Sequence, residues 1–434
     1  DPAMIGTDSM SRRMRRAAAR SATPLLLLFS AGQLLAHEPH KPAAPAGSAV
    51  AAAAAIPLPA GWVESAPPAA AGALAPQLFA DGDGFLATWV EPAPGKAPGV
   101  QRVRVARFDG KFWTFPATVR ESSTLFANWA DVPGVARAAD GALYAWWLER
   151  SSTGTYTYDV HLARSADQGV TFAPLGVLHE DRSPAEHGFV SAVREGQGIR
   201  FYYLDGRATP GDKPMQLRTV LVEGTRIAPS ELVDDSVCDC CTTTAATLPV
   251  GASVVAYRDR TAAEMRDVQV AIRPAAGPIS THPVGSEPWR IAGCPVNGPA
   301  LAANGGELAV AWFAAPGDRP RTAVALSADG GTSWGPARPI PAAAGGQPMG
   351  QLALAPTAGG FALAWLEAIP GGSEIRVARL DRRGELAPSV AIARTGAGRA
   401  AGIPRLASAG NRLALFWVGG GDPAAGLRFA VQSP

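Results

Sequence analysis

Four cysteines are the whole thiol complement of this 434-residue chain. Three of them, Cys238, Cys240 and Cys241, fall within four residues, and the fourth, Cys294, sits in Gly293-Cys294-Pro295-Val296-Asn297-Gly298. Thiolate sulfur is a soft donor that selects Cu(I) or Zn(II). His187, in Glu186-His187-Gly188, and Met215 supply the further nitrogen and sulfur that would complete such a site. Exported proteins more often use cysteines in disulfides, so the alternative is a bridge from one of the three to Cys294. The two readings coexist if two cysteines bridge and two stay free.

A second group is charged. Arg258, Asp259, Arg260, Glu264, Arg266 and Asp267 crowd one short stretch, and Arg207 follows Asp205-Gly206. Guanidinium forks suit bidentate carboxylate binding. A carboxylate pair such as Asp259 and Glu264 has the chemistry for acid/base work on a glycosidic bond. The same residues would equally make a salt-bridged rim. His187 is read as a ligand, a general base, or a histidine bonded to Asp131 or Glu180. Trp129 either stacks on a sugar or plugs a channel mouth.

These residues need a scaffold, and the composition narrows it. Hydrophobic residues make up 47% and charged residues 18%, enough apolar surface for a large core. A net charge of +2 gives no broad electrostatic reason to bind nucleic acid. With 48 glycines and 39 prolines the chain suits many short strands joined by turns.

The N-terminal segment divides into three. Residues 1–9 read as a vector or mis-start remnant before Met10. Residues 10–36 combine Arg12, Arg13, Arg15 and Arg16 with the apolar Leu25–Phe29 and end at Ala36, the pattern of a secretory signal peptide. That predicts a periplasmic or secreted protein with no membrane span in the mature chain, because the apolar run is too short to cross a bilayer. Residues 37–60 are an Ala/Pro-rich linker; His37 and His40 are either polar residues of that tail or, with His37 made N-terminal by cleavage after Ala36, a copper chelate through its amine and ring.

From residue 61 onward one unit repeats. An alternating apolar strand, mostly ending in Trp or Tyr, begins at Phe85, Leu143, Ile199, Ser253, Leu308, Phe361 and Leu413, intervals of 52 to 58 residues. With about four strands per interval, A to D from the inside outward, the period predicts a β-propeller of seven blades over 61–434. The seventh unit stops after its third strand. Residues 61–66 are expected to supply its missing outer strand and so close the ring.

Ser327-Ala-Asp329-Gly-Gly331-Thr-Ser-Trp334 fits the pattern Ser-x-Asp-x-Gly-x-x-Trp, and Ser165-Ala-Asp167-Gln-Gly169-Val-Thr-Phe172 repeats it with Phe for Trp. Through these two segments the chain resembles the sialidase-like, Asp-box (BNR repeat) propeller proteins. The resemblance implies an all-β propeller with a sugar-binding or exo-glycosidase face. It also implies six blades for true sialidases, where the repeat here gives seven.

Strand alternation puts the D–A and B–C loops on one face and the A–B and C–D turns on the other. The cysteines, His187, Arg207 and the Arg258–Asp267 stretch all fall in loops of the first face, in blades 2 to 5. Three expectations follow. One is an acidic-sugar site or glycosidase using Arg207, Arg258, Arg266, Asp259 and Glu264. Another is a copper or zinc protein using Cys238, Cys240, Cys241, Cys294 and His187. The last is a scaffold presenting this face to another exported protein.

Overall fold

The computed structural model describes residues 56–285, 287–397, 402–420 and 426–432. Residues 1–55, with the expected signal segment and most of the linker, lie outside the described residues. Seven antiparallel sheets follow one another along the chain. Their strands span 74–122, 134–177, 187–237, 244–284, 300–339 and 347–395 for blades 1 to 6. Blade 7 holds the three strands of 405–432, and Trp62–Glu64 pairs as its outermost strand. The register is Trp62 with Gln432, Val63 with Val431 and Glu64 with Ala430. The ring is therefore a seven-bladed β-propeller closed by an N-terminal strand, as the repeat predicts. Among the described residues the only helical pieces are three short 3-10 turns.

The seams between blades carry the core. Trp146 of blade 2 is 1% exposed and meets Phe79 of blade 1 at 5.6 Å and Phe201 of blade 3 at 5.5 Å, both edge-on. Truncating such a ring to alanine costs about 3–5 kcal/mol. Gly134 makes room for it, since a Cβ there would lie 2.0 Å from the indole.

The repeated B strand has a polar end with a purpose. Trp89, Trp147 and Trp365 each donate the indole N–H to the glutamate two residues on, Glu91, Glu149 and Glu367, at 2.7, 3.1 and 2.8 Å. Residues two apart share a face of the strand. Each acid is 6% exposed or less and collects a further donor from the neighbouring loop, from Ala70, Thr124 and Ala343 respectively. The loop is thereby pinned without an orphaned charge.

Both Asp-box turns form at C–D connections. Asp167 accepts from Ser165 and Thr171, and Asp329 accepts from Ser327 and Ser333. Gly331, at φ 98°, supplies the left-handed residue, and Trp334 donates its N–H to the Gly331 carbonyl.

Candidate functional site

The last strand of blade 3 (Glu231–Val237) delivers Cys238 to Thr243 onto the loop face before blade 4 begins at Thr244. Cys240 is disulfide-bonded to Cys294, with Cα atoms 6.1 Å apart. The bridge joins the loop entering blade 4 to the loop entering blade 5. In the chain-entropy picture a closed loop of this length stabilises by about 4 kcal/mol. Gly298 lets the two loops touch: a Cβ there would stand 2.0 Å from the Thr242 carbonyl oxygen.

Cys238 and Cys241 are free, buried, and 3.4 Å apart at sulfur. Arg266 Nη1 lies 3.2 Å from Cys238 Sγ, while its Nη2 and Nε hold Glu264 at 2.8 and 3.1 Å. Glu264 also accepts from Arg260, which reaches Asp239 at 2.9 Å. The hydrogen bond from Cys241 does most to pull the Cys238 thiol down; burial opposes it and Arg266 assists, leaving it at about 6. Cys241 moves the other way, through burial first and then the charge and bond of Cys238. At neutral pH the pair therefore holds one proton, on Cys241, and one negative charge, on Cys238.

The arginines expected to present open forks are placed differently. Arg258 is 2% exposed and gives its N–H groups to the carbonyls of Asn297, Arg266 and Phe313, at 2.7 to 3.2 Å, beside the Trp289 ring. It ties the cysteine loops to the B–C loop, which is a structural role. Arg207 is paired with Asp205 at 2.7 Å and Glu180 at 2.9 Å. Asp259 accepts from the Arg260 N–H and from Gln269, and burial raises its carboxyl. Glu264 is held low by Arg260 first.

His187 does not join the cysteines. It opens the inner strand of blade 3 (His187–Glu195), opposite Asp205 in register, and its ring stacks on His179 at 3.9 Å. Its Nε2 donates to Asp181 at 3.0 Å, and its Nδ1 lies 3.5 Å from Asp159. The partners are therefore Asp181, Asp159 and Asp205, rather than Asp131 or Glu180. The missed members come from three different elements, so no local spacing announces them. The signal that existed was His179 and Asp181 in the segment just before His187, plus an Asp at or next to the end of each of two strands, Asp159 and Asp205. Met215 is buried in the core, its backbone paired with Val237. Trp129 packs against buried clusters of both blades 3–4 and blades 6–7, as a plug would.

Beside it, Tyr158 donates toward two buried carboxyls, Glu186 at 2.5 Å and Asp131 at 3.0 Å. One phenol proton cannot serve both. Burial pushes Glu186 to about 8 and Asp131 to about 7, so the pair keeps a proton at neutral pH.

Among the described residues no helix is long and apolar enough to cross a membrane. No family model and no curated protein matches the chain. Solved structures similar to it include a Hadza microbial sialidase, 15% identical, covering 77% of this chain and 73% of that one with a TM-score of 0.48. An α-L-arabinanase of Penicillium chrysogenum is 14% identical over 85% of this chain and 96% of its own, at 0.47. A protein of unknown function from Dyadobacter fermentans is 11% identical over 83% and 95%, at 0.45.

Proposed function

We propose that this chain is an exported propeller that holds a soft metal ion, Cu(I) before Zn(II), between Cys238 and Cys241. One observation carries the reading: two unbridged sulfurs are buried 3.4 Å apart, anchored beside a disulfide that ties down the loop between them. Two thiolates and a monovalent soft ion leave one negative charge, and Arg266 stands 3.2 Å away to offset it. Only the Cys241 proton has to leave at neutral pH. The Cys240–Cys294 bridge and the basic-then-apolar segment at residues 10–36 support export to an oxidising compartment.

The acidic-sugar reading has less behind it. Asp259 and Glu264 shift in the opposite directions that an acid/base pair needs, but Glu264 is clamped by Arg260 and Arg266. Arg207 and Arg258 are likewise engaged inside the protein.

The test is metal content with free-thiol count on unreduced protein, followed by Cu(I) titration against a chromophoric chelator. We expect two free thiols and one Cu(I) per chain, lost in Cys238→Ser. A second disulfide with no bound copper would overturn the proposal.

A further inference from the structure

The histidine–aspartate cluster at the seam of blades 2 and 3 is separate from the thiol pair. We infer that it is a second metal site, in which Asp159, His179 and His187 bind a borderline divalent cation, zinc being the closest chemical fit.

The donor atoms converge. Asp159 Oδ1 lies 3.5 Å from His187 Nδ1 and 3.7 Å from His179 Nε2, and all three donor atoms lie within 4.8 Å of one another. Tetrahedral ligands at ordinary zinc bond lengths stand roughly 3.4 Å apart, so the separation fits an ion among them. Two of the three donors face nothing but other members of the cluster, at 3.5 Å or more. Asp159 Oδ1 and His187 Nδ1 are buried and have no hydrogen-bond partner, in residues 8% and 0% exposed. Buried polar atoms are rarely left so.

The outer contacts set the tautomers such a site requires. His187 Nε2 faces Asp181 Oδ2 at 3.0 Å, and His179 Nδ1 faces the Asp181 carbonyl oxygen at 3.1 Å. Each imidazole thus spends its far N–H on Asp181, turning the lone pair of its other nitrogen toward Asp159. Only a long 3.4 Å contact from the Val160 N–H competes for His179 Nε2. Asp181 is in turn held by Ser183, and Asp205 by Arg207. Two nitrogens and one oxygen favour Zn(II) or another late first-row divalent ion over Cu(I), which prefers sulfur. Asp159 lies on a blade 2 strand and His187 on a blade 3 strand, so the ion would staple the seam.

Because the site is buried, the test loads it during folding. The Cys238→Ser/Cys241→Ser protein, which lacks the thiol pair, is refolded with Zn(II), desalted and assayed for metal by mass spectrometry. One zinc per chain is expected, with a rise of a few degrees in melting temperature over protein refolded with chelator. The Co(II)-loaded protein should show four-coordinate visible bands without a thiolate charge-transfer band. Adding Asp159→Asn, an isosteric change, should lose the metal and the thermal shift while far-UV circular dichroism stays the same. Adding Asp181→Asn should weaken binding about 10- to 100-fold. Double-serine protein that folds in the presence of Zn(II) yet retains none after desalting, or zinc binding indifferent to Asp159→Asn, would overturn the inference.

Discussion

Blades 1, 2 and 6 and blades 3 and 4 occupy the same register but use it differently. At the end of the B strand the former have Trp-x-Glu: Trp89 and Glu91, Trp147 and Glu149, Trp365 and Glu367. The latter have Tyr-x-Asp: Tyr203 and Asp205, Tyr257 and Asp259. The glutamate closes on its indole and the loop behind it. The shorter aspartate has no indole N–H to accept, and its blade's tyrosine is either unpartnered, as at Tyr203, or turned to Asp234. Asp205 therefore faces His187 and Arg207, while Asp259 accepts from the Arg260 backbone N–H and from Gln269 on the next strand. Two exchanges, Tyr for Trp and Asp for Glu, separate B strands that only pin a loop from B strands whose last acid stands next to candidate chemistry.

The largest expected effect tests that separation directly. Cys241→Ser should reduce Cu(I) binding below detection while leaving the melting curve near that of the parent. Glu367→Ala in blade 6 should do the reverse. It strands the Trp365 N–H and an otherwise satisfied buried position, costing about 3 kcal/mol in denaturant unfolding with copper binding unchanged. If both variants lost both properties, the division of labour between blades would fail.

Next in size is a pH effect of opposite sign in the two kinds of blade. Glu149 is brought down to about 2: burial opposes the shift, but Arg120 and the hydroxyls of Thr124 and Ser122 outweigh it. Its contribution is full above the ordinary carboxylate range and is lost as pH falls from about 4.5 toward 2. Glu186, beside the histidine cluster, is raised to about 8 by burial, so the folded state keeps a proton that the unfolded state sheds. That penalty grows between pH 4.5 and 8. Glu186→Gln should gain stability over the parent as pH rises through that window, and Glu149→Gln should lose its deficit as pH falls. Parallel stability–pH curves for the two variants would contradict the assignment.

A smaller change concerns the thiol. Arg266→Met removes a charge and an N–H from Cys238, so its thiolate absorbance should titrate above about 6. Proton release on Cu(I) binding should then rise from about one toward two per ion at neutral pH. An unmoved titration would mean that Cys241 alone sets the shift. The smallest effect belongs to the opposite face. Asp329→Ala opens an exposed Asp-box turn and should lower the melting temperature by only about 1–2 °C, with no change in metal binding.

Much of the ring was legible because it repeats. Seven aromatic-ended strands at nearly constant spacing fix the blade count, and the short seventh unit requires Trp62–Glu64 to complete it. The Trp-x-Glu pairs were equally visible in the sequence, but only alignment of the repeats with one another exposes them. The site was legible in part. Clustering in adjoining blades brought the four cysteines to one seam, yet nothing in Cys238-Asp-Cys-Cys241 says which sulfur reaches Cys294. Arg258 looked like a surface charge because its neighbours are charged, whereas its partners are backbone carbonyls that no side-chain pattern reports. Asp159, His179 and His187 meet only through the register of two blades.

The closing strand has a mechanical consequence. Trp62 pairs with Gln432 and Glu64 with Ala430, so the chain leading into residue 62 and the chain leaving residue 432 emerge at the same end of one antiparallel ladder. Tension between them loads the pairs one at a time, as a zipper, rather than all together in shear. A ring packed through seven seams would then part under small forces at a three-residue latch, opening blade 7 while the disulfide-tied seam of blades 4 and 5 stays shut.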